Sequence, residues 1–156
     1  DDIAAITIDG KDVPVKLRVH DSLFVPMAKW SMLLTGNYRC VEADGVRAIR
    51  DAVHGDLDAS TKMYTWVDAL ARQLGADPAD QVPFEKYANA ATGLLKPSSA
   101  ARAIDSGADR IERVDRLVQM IGRGLGLYNE QLDEIVAIVD ARLATNANFK
   151  KVANVG

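Results

Sequence analysis

The sequence predicts a mainly α-helical domain, a helical bundle preceded by a short β-hairpin, and three observations lead there. From residue 22 onward, apolar residues recur at helical spacing in one stretch after another, separated by Gly-, Pro- and Asp-containing breaks. Before that point, two β-rich runs flank a segment of turn chemistry. The 156 residues, 48% of them apolar, suffice for one domain with its own core.

The β-rich runs are 4–8 and 13–19, joined by Asp9-Gly10-Lys11-Asp12. Two strands alone are marginal in water, so the hairpin is expected beside a sheet supplied by another domain or a partner subunit. The chain opens Asp1-Asp2-Ile3 without an initiator Met, which leads us to expect a piece of a longer protein. The organisation expected is a hairpin over 1–21, a helical domain over 22–145 and a polar, frayed tail over 146–156.

Asp21 or Ser22 can cap a first helix with Pro26 in its opening turn, carrying Met27, Trp30, Leu33 and Leu34 inward. A short helix is expected over 42–54, stopping near Gly55. The clearest element is 59–74, where Met63, Trp66, Val67, Leu70 and Leu74 form one stripe and Gly75 ends it. Asp77-Pro78 and Val82-Pro83 mark a loop before a weaker helix near 84–94, and Pro97-Ser98-Ser99 starts another. Ile111, Val114, Leu117, Val118 and Ile121 line the next helix, with Glu112 in its first turn. Leu132, Ile135, Val136, Val139 and Leu143 line the last, with Asn129 or Tyr128 near its cap.

Composition excludes several classes. The 19 basic and 22 acidic residues are interleaved, for a net charge of -3, so nucleic acid and anionic membrane are poor partners. No run reaches the roughly 18 apolar residues of a membrane span. Cys40 is the single cysteine, which rules out an internal disulfide and suits a reducing, cytoplasmic compartment. His20 and His54 stand too far from it and from each other to suggest a base or a metal site, so the thiol reads as buried and idle. The glycines at 122, 124 and 126 follow a helix rather than a strand, which is the context of a helix end and not of a phosphate loop. The mixed charges from Asp105 to Arg116 read as the wet side of a helix.

Two segments invite a functional reading. In 27–37, Lys29 lies among Met, Trp and Leu, where a lysine is costly unless it snorkels or its charge is used. If that helix runs to 37, Lys29 shares a face with Asn37, two turns on. In 96–112, Ser98 and Ser99 open a short helix and Glu112 follows. Taken alone, the first fits a surface lysine and a helix-ending Gly-Asn, and the second fits plain N-capping with a glutamate favoured by the helix dipole.

Together these segments resemble the C-terminal domain of ketopantoate reductases (2-dehydropantoate 2-reductases). Its first helix carries W-x-K-x-x-x-N-x-x-x-N, and a later segment reads S-S-M-x-x-D-x-x-x-G-R-x-T-E-I-D. Lys29 takes the place of the lysine and Asn37 that of the second asparagine, while Leu33 stands at the first. Ser98-Ser99, Gly107 and Ile111-Glu112 follow the second pattern, with one residue more between serine and glutamate. The resemblance spans 22–145 and implies a bundle of the 6-phosphogluconate dehydrogenase C-terminal-like type.

It further implies an NADPH-dependent oxidoreductase of pantothenate biosynthesis that reduces the 2-keto group of ketopantoate. Lys29 would be the general acid, and Glu112 would accept a hydrogen bond from the substrate hydroxyl. Ser98 or Ser99 would hold the carboxylate, and Asn37 would orient substrate or lysine. NADP would be bound mainly by an N-terminal Rossmann domain outside this chain, so the chain alone would not catalyse. The partners implied are the keto acid, that Rossmann domain and a second copy in a homodimer. Two other readings stay open: a free-standing helical interaction module, and a structural dimerisation domain of another dehydrogenase of the 6-phosphogluconate-like group. Convergence of Lys29, Ser99 and Glu112 on one cleft would favour the enzyme.

Overall fold

The computed structural model describes residues 7, 8, 10–12 and 22–153. These form a mainly helical bundle, as the periodicity predicts. Thr7–Ile8 (β1) pairs antiparallel with Lys11–Asp12 (β2) around Gly10, whose φ is 72°. Lys11 and Asp12 are therefore paired residues and not, as expected, part of the turn. A ladder this short does not establish the expected hairpin, and most of 4–8, all of 13–19 and His20 lie outside the described residues.

The centre of the bundle is an irregular helical passage. Phe24–Met27 (α1) and Lys29–Met32 (α2) lead into Leu33–Asn37, where the turn widens to i→i+5 bonding, and then into one tight turn over Tyr38–Cys40. The cap position is Leu23 and not the expected Ser22, which sits one residue earlier: its Oγ accepts from the Phe24 amide at 3.1 Å and donates to Asp80 at 2.7 Å. Leu34, Thr35 and Cys40 are fully buried, and the widened turn touches α2 and four helices later in the chain. Gly36 is required there, because a methyl group at this position would run into the Tyr87 hydroxyl, which donates to the Met32 carbonyl at 3.1 Å.

Ile49–His54 (α3) is shorter than the predicted 42–54, because Gly45 turns the chain at φ 100° and Val41 bridges Val46. Leu57–Gln73 (α4) matches the strongest pattern. Asp56 caps it through the Ala59 amide, Met63, Val67 and Leu70 are fully buried, and Gly75 ends it at φ 109°. Leu74, expected inside, is partly exposed. Phe84–Ala91 (α5) builds a satellite cluster in which Tyr64 packs on Phe84 and Tyr87 at centroid distances of 5.4 and 5.7 Å.

Ser99–Asp105 (α6), Val114–Gly124 (α7) and Glu130–Ala153 (α8) close the main core. Asn129 caps α8 through the Leu132 amide at 3.0 Å, and the predicted stripe from Leu132 to Leu143 is buried. The helix continues through residues 146–153, where Asn146 donates to the carbonyls of Ile104 and Ala108. In α7, Val114 and Val118 are buried, whereas Leu117, expected on the inner face, is 46% exposed. No helix among the described residues is long and apolar enough to cross a membrane.

Candidate functional site

Three of the five residues singled out from the sequence meet at one place. Asn37, from the end of the widened turn, Ser99, from the start of α6, and Glu112 line a cavity of about 300 Å³ together with Leu33, Tyr38 and Ile111. Lys29 does not join them: it is exposed at the first residue of α2 and does not line that cavity. Glu112 is not in the first turn of a helix either. α7 starts two residues later, because the buried Tyr38 hydroxyl accepts from the Val114 amide at 2.9 Å and donates to the Glu112 carbonyl at 2.6 Å. Burial raises the Tyr38 pKa, so the hydroxyl stays protonated and can do both.

Ser98 is 3% exposed and has a structural role. It donates to the Asn37 carbonyl at 2.8 Å and accepts from the Ala101 amide at 3.1 Å, so it caps α6 and ties it to the widened turn. Ser99 beside it is exposed. Cys40 is fully buried, as expected, burial pushes its thiol upward, and it donates to the Gly36 carbonyl at 3.3 Å. His54 contacts the Ala88 carbonyl at 2.9 Å. Among the described residues no group of His, Cys, Asp and Glu could hold a metal.

Two features escaped the sequence reading. Arg39 is 8% exposed and bonds to Ser60 Oγ at 2.5 Å, and burial lowers its pKa. Nothing in the run Asn37-Tyr38-Arg39-Cys40 marks that position as interior. The second is a charge cluster between α7 and α8. Asp115 is fully buried, and Arg113 reaches it through two nitrogens at 2.9 and 2.8 Å. Asp140 of α8 takes bonds of 2.5 Å from both Arg113 and Arg116. Part of the 105–116 charge run is therefore a clamp around the buried Asp115, while Arg116 stays on the wet side.

Adjacent to the small cavity, and sharing Asn37 and Ser99 with it, lies a larger cleft of about 520 Å³. Its other walls come from Ile49 and the 93–98 loop, with Lys96 and Arg102 on its rim. This geometry brings polar groups to one region, but it brings no reactive lysine to face the glutamate.

No family model matches the chain, and no solved structure matches it, so the finer 6-phosphogluconate dehydrogenase-type assignment gains no support. The chain is similar to the ATP phosphoribosyltransferase regulatory subunit of Variovorax paradoxus (strain S110), at 29% identity over 154 aligned residues. The alignment takes in 84% of this chain but only 38% of that protein. This overturns the reductase assignment: the relative found is a regulatory subunit, not a ketopantoate reductase. The oxidoreductase function, the pantothenate pathway and the keto acid substrate go with it. The NADP expectation concerned residues outside this chain and rested on the reductase resemblance alone. The motif match was built from residue types that capping and surface exposure also select, as Ser98 and Lys29 now illustrate.

Proposed function

We propose that this chain is a binding domain of a regulatory-subunit type, which acts by docking a catalytic protein rather than by chemistry of its own. The observation that carries the reading is the similarity, along 84% of the chain, to a regulatory subunit of ATP phosphoribosyltransferase. The partner we propose is accordingly an ATP phosphoribosyltransferase chain encoded in the same genome. Two structural features support a docking role. α7 presents Leu117 and Met120, one turn apart and 46% and 69% exposed, on the side away from the core. Leu125 and Tyr128 follow at 45% and 71% exposure, a composition that suits the centre of an interface.

The test is direct binding between the full-length protein that carries this chain and the purified phosphoribosyltransferase. A complex with Kd near or below about 1 µM is expected. Replacing Met120 and Leu117 by Asp should weaken it at least tenfold while leaving the thermal midpoint of the free protein within a degree or two. Exposed positions tolerate such changes, so lost binding at unchanged stability would point to the α7 face.

A further inference from the structure

We propose that the 520 Å³ cleft between the 93–98 loop and the start of α3 binds a small amphipathic anion, a carboxylate or phosphate ester carried on an apolar body. Its volume is that of a small-molecule site, within the roughly 300–1,000 Å³ that such sites occupy. The apolar walls are Ile49, Leu94, Leu95 and Pro97, and Asn37, Ser98 and Ser99 add uncharged polar groups. Leu94 and Leu95 remain 42% and 62% exposed, an arrangement that leaves apolar surface for a ligand to cover. Among the described residues, the charged groups on the lining are both cations, Lys96 and Arg102, with no carboxylate beside them.

Neither cation makes an ion pair with any described residue, whereas neighbouring Arg47 and Arg50 are matched by Glu42 and Asp51 at 3.8 and 2.9 Å. The backbone contributes little charge of its own. The Ile49 and Arg50 amides already donate to the carbonyls of Lys96 and Leu94 at 3.1 and 3.0 Å, and Ser98 occupies the Ala101 amide. Those same bonds hold the loop in place, so the cleft is formed before a ligand arrives. Recognition of the head group thus falls to Lys96 and Arg102, with a guanidinium well suited to a two-oxygen anion.

The experiment is calorimetric titration of the full-length protein with octyl phosphate and with octanoate, below their micelle concentrations, alongside octyltrimethylammonium. Saturable binding of at least one anion is expected, with the cation not binding. The double variant K96A/R102A should weaken binding at least tenfold at an unchanged thermal midpoint, and higher salt should weaken it for the unmodified protein. Tighter octanoate binding identifies a carboxylate ligand, and tighter octyl phosphate binding a phosphate ester. Absence of saturable binding by either anion, equal binding of the ammonium compound, or full affinity in the double variant would overturn the proposal. Lys96 and Arg102 are not on α7, so ligand binding and partner binding fail separately.

Discussion

Ser98 holds two neighbours with one hydroxyl, giving its proton to the Asn37 carbonyl and taking one from the Ala101 amide. Ser98→Ala removes both bonds and leaves a part-buried carbonyl and a buried helix-end amide short of a partner. We predict a loss of about 1–2 kcal/mol, read as a lower urea midpoint at unchanged slope. Ser98→Thr, which keeps the hydroxyl, should recover part of it. The capping role was legible in the sequence, because Pro97-Ser98-Ser99 is a helix-start pattern in its own right. The bond to Asn37 was not legible, since it joins residues 61 apart that only the fold brings together. Arg39 was hidden for the same reason: its burial is set by α4, through Ser60, and by no local spacing.

At the scale of elements, the pairing of α7 with α8 combines apolar contact with a charge cluster. Burial works against the Asp140 carboxylate, but hydrogen bonds from Arg116 and Arg113 outweigh it and hold its pKa below the ordinary value of 3.8. A depressed folded-state pKa contributes stability that is present above the unfolded value and is lost as pH falls through the folded one. The clamp should therefore hold at neutral pH and release in acid, below the ordinary carboxylate range. We predict that the thermal midpoint drops as pH is lowered through that window, and that Asp140→Asn makes the drop shallower while lowering the midpoint at pH 7. An equal acid response in the variant would show that the clamp contributes nothing. The stripes of α4 and α8 were readable because a buried face repeats every three to four residues. The start of α7 was misread by several residues, because the Tyr38 hydroxyl sets it from 76 residues away. The widened turn over Leu33–Asn37 also has no signature in the local pattern. It places Gly36 against Tyr87 and so depends on α5.

For the whole molecule, helical class could be read from periodicity, while function could not. The segments that resembled a reductase do bring Asn37, Ser99 and Glu112 to one cavity, yet Lys29 stays outside it. Lysine, serine and glutamate at helix starts arise from solvation and capping in many helical proteins, so their order along a chain carries little chemical information. We propose a helical domain that docks a catalytic partner through the exposed apolar residues of α7 and takes a small anion in the separate cleft at Lys96 and Arg102. The two should be energetically distinguishable: saturating octyl phosphate should raise the thermal midpoint by mass action whether or not the partner is present.

The most direct measurement of the central claim is size-exclusion chromatography with light scattering on the full-length protein mixed with the ATP phosphoribosyltransferase of the same genome at micromolar concentration. We predict one peak whose mass exceeds that of either component, lost when Leu117 and Met120 are replaced by Asp. Two peaks at the masses of the separate proteins would contradict it.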